Sequence, residues 1–477
     1  MTDEQIRRLF ATATRNGYSR RDLIRLGTAA GLIVPLSGAL GAPGRAFAQT
    51  PAADSNPLGV DPAGPLDVVI FKGGYGDDYA IYVKDQMYAK LYPDAQITYA
   101  GTQRLQEQYQ ARFVEGNPPD IMDNSGAGSF DTTNLVNEEQ LADLTDLMDA
   151  PAYGQDGVAF KDTLIPGSQQ NGIFNGTQYV LQYAFSAYGI WYSATWLEEN
   201  GYTYPETWDD MLAMCEEIKA GGIAPWTYQG QYPYYMRAIF DQLLYKRGGL
   251  EAIARLDNLE DDAWSSPEVE ASLTALNQLN ERGYILEGTE ALSHTESQAQ
   301  WLQNKAIFLP CGSWLENEMK DLIPPDFGMT VKPTPSLAGD VLPATAIQAS
   351  AGEDFIVPAN GKNVQGGKEY LRLLFSLEGA HFFSENAKSL TVVVGAADGL
   401  DLGTAFGSVQ EAVGAAGENT FISQYGTWYA DLGDEVDNLV GQILTGQVSV
   451  EEVMEGAQQV ADDVKADDSI PKYERTV

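Results

Sequence analysis

Histidine and cysteine are nearly absent from this chain of 477 residues, which carries two of each. His294, His381, Cys215 and Cys311 assemble no zinc spacing: neither His-Glu-x-x-His nor Cys-x-x-Cys occurs. Metal-assisted catalysis therefore drops out of the functions to consider. Also missing are a Gly-x-Ser-x-Gly elbow and a Gly-x-x-x-x-Gly-Lys-Ser phosphate loop, and the "GGYG" at Gly73–Gly76 lacks the third glycine of a dinucleotide fingerprint. No cofactor is expected. Positive charge is scarce too, with 29 Lys and Arg against 67 Asp and Glu and a formal net charge of −38. A surface this acidic repels nucleic acid, anionic lipid and polyanionic ligands, and leaves neutral or cationic ligands as the natural partners. The two cysteines lie far apart in sequence, and spacing does not decide whether they meet.

What is present begins with an export signal. Arg20 and Arg21 precede a weakly apolar run from Leu26 to Leu40, followed by the small-residue site Ala46-Phe47-Ala48. The run is rich in Gly and Ala and broken by Pro35, a poor match to the roughly 20 apolar residues of a membrane anchor. Residues 1–48 therefore read as a twin-arginine type signal, and 49–65, rich in Pro, Ala, Gly and Asp, as a flexible leader. No cysteine follows the signal to take a lipid. Cleavage after Ala48 leaves about 430 residues, enough for two domains with separate cores.

The folded part starts at "LDVVIF", a β-branched run suited to a buried strand, then a glycine loop, then the amphipathic "DYAIYVKDQMYAKLYPD". A second helix leads into "NPPDIMDNSGAGS", an apolar segment ending in a polar loop. This alternation predicts an α/β fold with largely parallel sheets, whose loops at the strand ends line a crevice. Asp123, Asn124 and Ser125 fall at such a loop, where turn and cap chemistry would account for them equally. After "IWYSATWLEENGY" the pattern restarts. Thr207 precedes a helix with acidic residues in its first turn, and Ser266 with Pro267 opens another.

Carboxylates are abundant, and a glycosidase pair is defined by a separation across the scissile bond that sequence does not give. A secreted glycoside hydrolase therefore stands as the rival to a binding protein. Aromatics are concentrated in "GGIAPWTYQGQYPYYMR". A sugar ring offers an apolar C–H face and a rim of hydroxyls, so its site wants flat aromatics flanked by polar groups. Trp226 and Tyr228 beside Gln229 have that mixture, whereas Tyr234 and Tyr235 open a helical run and read as packing. Tyr232 has no assignment. Trp314, at the glycine turn of "PCGSWLEN", and Trp428, in "ISQYGTWYADL", fit crevice and core alike.

The segments "VIFKGGYGDDY", "RFVEGNPPDIMDNSGA", "IWYSATWLEENGY" with "PETWDDML", "CGSWLENEMKD" and "AGEDFIVPANGKNVQGGKEYLR" resemble the extracellular solute-binding proteins of carbohydrate ABC transporters, and within them the N-acetylglucosamine and diacetylchitobiose-binding group. The resemblance runs from about Leu66 to the C-terminus. It implies a two-lobe, flytrap-like α/β fold: 66–184 and 326–359 in lobe one, 187–323 and 362–477 in lobe two, with crossings near 184–187, 324–325 and 360–361. It further implies a non-enzymatic, exported monomer that closes on a carbohydrate and delivers it to permease subunits. On this resemblance Tyr75, Asp123, Asn124 and Ser125 face the ligand from lobe one, Trp226, Tyr228, Gln229 and Trp314 from lobe two, with Glu353 and Trp428 as further contacts. Lys72 stands where an uncharged polar residue is expected, and Cys311 where serine is usual.

Overall fold

The computed structural model describes residues 56–476 apart from Pro166 and Asp401; the expected export signal and the start of the leader lie outside them. The end of the expected leader is folded. Asn56 Oδ1 accepts from the Val60 amide at 2.7 Å, and the Val60 side chain is buried.

The chain forms two units. One runs to Phe185 and resumes at Ala351–Leu402; the other comprises Ser186–Ser350 and the chain from Gly403 onward. This corrects the expected boundaries beyond residue 325, because 326–350 belongs to the second unit and 362–402 to the first. The physical reason is pairing. Residues Met329–Lys332 hydrogen-bond antiparallel to Ile190–Ser193 in the second unit, and helices Val364–Leu374 and Leu377–Ala387 pack on the first.

In chain order the principal strands are β1 (Leu66–Phe71), β2 (Ile97–Thr102), β3 (Ile121–Asp123), β4 (Val180–Ser193), β5 (Ala224–Trp226), β6 (Ala306–Gly312), β7 (Met329–Lys332) and β8 (Ile347–Ile356). In the first unit β1 lies between β2 and β3, parallel to both, while β3 meets the end of β8 antiparallel, with Asp123 opposite Phe355. In the second unit β6 is parallel to β5 but antiparallel to β4, which also takes β7 antiparallel. The sheets are thus mixed rather than mostly parallel. The antiparallel pairings come from β4 and β8, the two strands that carry the chain from one unit to the other.

The helices used below are α1 (Asp78–Tyr82), α2 (Trp208–Ala220), α3 (Tyr234–Asp257), α4 (Pro267–Glu281), α5 (His294–Leu302), α6 (Val364–Leu374) and α7 (Leu377–Ala387). Their starts follow the expected grammar. Thr207 Oγ1 accepts from the Asp210 amide at 3.2 Å ahead of α2, and Ser266 accepts from Val269 ahead of α4 with Pro267 as its first residue. Helix α3 bends at Gly249, whose φ of +70° only glycine holds without strain. Cys215 on α2 and Cys311 on β6 are both buried and unpaired.

Candidate functional site

In the first unit the chemistry gathers where β1 and β3 end. Phe71, half-buried at the end of β1, is clasped by both following loops: a Cβ on Gly73 would lie 2.1 Å from its ring, and one on Gly126, 2.2 Å. Only glycine at both positions lets the ring lie there. Asp123, the last residue of β3, has no exposed surface. Tyr79 on α1 donates its hydroxyl to Oδ2 at 3.0 Å and Ser125 donates to Oδ1 at 2.6 Å. Ser125 Oγ in turn accepts from the Asp354 amide at 2.8 Å, and Gln182 Nε2 on β4 donates to Asp354 Oδ1 at 3.1 Å. The neighbouring Glu353 holds a left-handed φ of +59°.

Burial dominates the electrostatics here. It pushes Asp123 up to about 7, opposed by the donors on Ser125, Tyr79 and Glu353, and Asp354 up to about 6, opposed by Gln182. Glu353 is held well above the usual carboxylate range by burial and then by the neighbouring Asp123 charge. At the loop entry Lys72 pairs with Asp77 at 2.8 Å, and Tyr99 donates to the same carboxylate at 3.1 Å.

Two of the residues expected to face a ligand from this unit are turned inward. Asn124 is a loop staple: its Nδ2 donates to the Phe130 carbonyl at 3.0 Å and its Oδ1 accepts from the Phe130 amide at 2.8 Å. Tyr75 is buried, with its ring 5.2 Å from that of Phe383 on α7. Asp123 and Ser125 are brought together as described, and Glu353 precedes the Asp354 whose amide Ser125 accepts from.

In the second unit the expected aromatic edge is core. Trp226, 1% exposed on β5, packs between Trp208 on α2 (6.3 Å) and Phe308 on β6 (5.6 Å). Tyr228 joins the same apolar cluster. Stacking a ligand on either ring would require dismantling that core. Gln229 is fully buried, its Nε2 donating to the Pro310 carbonyl at 2.7 Å while Oε1 has no partner. Trp428 packs beside the C-terminal segment, with Tyr473 at 5.5 Å.

Trp314 is placed differently. It is half-buried just beyond β6, and its ring lies over Gly312, where a Cβ would come within 2.1 Å of it. Tyr188 on β4 meets it edge-on at 5.1 Å, and Tyr235 lies at 6.2 Å with Tyr234 stacked on it at 4.2 Å. Tyr188, which sequence reasoning missed, thus stands beside Trp314, while Tyr235, 3% exposed, packs as expected with Tyr234 stacked on it. The signal for Tyr188 was the register that sets it opposite Gly312, which exists only once β4 and β6 are paired. Tyr232 sits edge-on to His294, at 5.3 Å. Among the described residues no group of three or more His, Cys, Asp or Glu side chains is arranged to hold a metal ion.

Comparison with known proteins bears on this arrangement. A family model described as bacterial extracellular solute-binding protein matches residues 72–381. The diacetylchitobiose binding protein NgcE of Streptomyces coelicolor is 35% identical over 424 residues, 88% of each chain. A solved structure from work on xylan utilization by Caldanaerobius polysaccharolyticus superposes with a TM-score of 0.71 at 18% identity, covering 83% of this chain and 99% of that one. A chitin oligosaccharide binding protein does so with a TM-score of 0.63 at 18% identity, covering 81% and 93%. At these identities the two structures bear on fold alone, and the fold they share is the two-lobe α/β architecture of periplasmic binding proteins.

Proposed function

Because the chain belongs to the bacterial extracellular solute-binding protein family, we propose that it captures N-acetylglucosamine or a short chito-oligosaccharide outside the cytoplasmic membrane, uncleaved, by lobe closure, and hands it as a monomer to the permease of an ABC importer. The observation that carries this reading is the similarity along 88% of both chains to a diacetylchitobiose-binding protein. The geometry supports it. Within the second unit the half-buried Trp314 ring is flat and suits a pyranose C–H face, and within the first the end of β3 gathers oxygen groups of the kind that pair with hydroxyl and acetamido groups. Export by the signal at 1–48 belongs to the same proposal. No helix of the described residues is long and apolar enough to cross a membrane.

A hydrolase reading has less support, because the family model and the relative that match most of the chain are those of solute-binding proteins. Another oligosaccharide class is the remaining alternative. Incubation with N,N′-diacetylchitobiose followed by product analysis and a melting curve tests these points. The disaccharide is expected to survive intact, and at 100 times its Kd to stabilise the protein by about 2.7 kcal/mol. Released monosaccharide would overturn the non-enzymatic reading, and a larger shift with xylobiose or maltose would overturn the amino-sugar assignment.

A further inference from the structure

Trp314 stands on a small support. It is the N-cap of a helix of five residues, Leu315–Met319, too short to hold its shape by its own hydrogen bonds. Its carbonyl accepts from the Glu318 amide at 3.0 Å, the bond that closes the turn. Whatever anchors that turn also sets where the Trp314 ring can stand.

The anchor comes from α5. Glu318 turns its carboxyl inward, its side chain only 8% exposed, and one helix grips both oxygens: Gln298 Nε2 donates to Oε2 at 2.7 Å, and His294 Nε2 lies 3.3 Å from Oε1. His294 and Gln298 are four residues apart, one turn of α5, so the two side chains reach the same carboxylate together. The start of α5 is itself fixed by a capping box, in which Ser293 Oγ accepts from the Glu296 amide at 3.4 Å and Glu296 Oε2 from the Ser293 amide at 2.9 Å. Gln298 is fully buried and its Nε2 also lies 3.8 Å from Cys311 Sγ, one residue before the Gly312 on which the ring rests. Tyr232, edge-on to His294, packs on the outer member of the grip.

We propose that Glu318 is a positioning residue for sugar capture: gripped by Gln298 and His294, it holds the turn that carries Trp314, so that the ring is ordered before a sugar arrives. The effect on capture rests on the sugar-binding reading above; the ordering of the ring does not. Removing the carboxylate leaves the turn held by the buried Leu315 and Met319, so the chain keeps its fold while the ring gains freedom. That freedom has to be given up again when a sugar stacks.

The test is a double-mutant cycle in the mature protein, with Glu318→Ala, Trp314→Ala and the pair together titrated with N,N′-diacetylchitobiose by calorimetry. Acrylamide quenching of tryptophan fluorescence is read on the same proteins without sugar, the share of Trp314 being each protein's quenching minus that of its Trp314→Ala counterpart. Glu318→Ala is expected to weaken binding about threefold or more, to make Trp314 easier to quench, and to cost nothing further once Trp314 is gone. Glu318→Gln, which keeps an acceptor oxygen for the Gln298 amide, should restore most of the affinity. If Glu318→Ala does not fold, Gln298→Met, which keeps the volume and removes the donor, reads the same two quantities. Unchanged quenching of Trp314, unchanged affinity where wild type binds, or a loss that adds in full to that of Trp314→Ala would overturn the proposal. Failure of the wild type to bind the disaccharide, with the quenching change present, would count against the sugar assignment and leave the ordering of the ring by Glu318 standing.

Discussion

Trp314→Ala is expected to weaken binding of N,N′-diacetylchitobiose at least tenfold, with the change in dissociation constant read by calorimetry. An aromatic ring covering a sugar face contributes through apolar burial of about 1.5–3 kcal/mol, and each 1.4 kcal/mol is a factor of about ten. Trp314 suits this because its position is set before any ligand arrives. The ring rests on Gly312, and Tyr188 and Tyr235 hold it from the side. A rigid aromatic loses little side-chain entropy on binding. Trp226→Phe is the informative control, since Trp226 lies in the core between Trp208 and Phe308. It should lower the melting temperature while leaving affinity intact. Unchanged affinity in Trp314→Ala would instead assign Trp314 to packing.

Arg475→Ala is expected to destabilise the second unit by about 3 kcal/mol at pH 8.5 and by no more than about 1 kcal/mol at pH 6, measured by urea unfolding. Asp257, at the end of α3, is fully buried, accepts from the amides of Gln424 and Tyr425 at 2.6 and 2.7 Å, and pairs with Arg475 Nε at 2.9 Å. Burial pushes its carboxyl up to about 7, with Arg475 holding it down. The folded value lies above the unfolded one, so the stability of the neutral acid is complete at low pH and is lost as pH rises through 7. Without the guanidinium that loss continues to higher pH. The variant therefore matches wild type most closely where Asp257 is protonated in both and diverges where it should be charged. Asp257→Asn in the Arg475→Ala background should remove most of the difference. An equal loss at both pH values would show that Arg475 acts through its packing and its bond to the Ile422 carbonyl rather than as a counter-ion.

Local rules made the helix starts legible, because a cap and its first turn are neighbours in sequence: Thr207 with Asp210 and Ser266 with Val269 needed no tertiary partner. The same holds for β1, whose β-branched run is buried along nearly its whole length. Asp123 was placed correctly at a strand end, but the adjacent Asn124 is spent on the Phe130 backbone, a bond no spacing rule distinguishes from a ligand contact. Trp226 and Tyr228 show the larger limit. A three-residue strand is too short for its alternation to reveal which face is covered, and what covers Trp226 comes from Trp208 and from Phe308, 82 residues along the chain. Ser125 meets the Asp354 amide where β8 pairs with β3, a contact between residues 229 positions apart. Tyr188 was missed for the same reason, since it reaches Trp314 through the pairing of β4 with β6.

The most direct test of the central claim is one calorimetric titration series of the mature protein against N,N′-diacetylchitobiose, N-acetylglucosamine, xylobiose and maltose under identical conditions. Saturable heat with the N-acetylated sugars, with a Kd near micromolar or about −8 kcal/mol, and none with maltose or xylobiose is the predicted result. Heat from maltose or xylobiose without any from the N-acetylated sugars would contradict it.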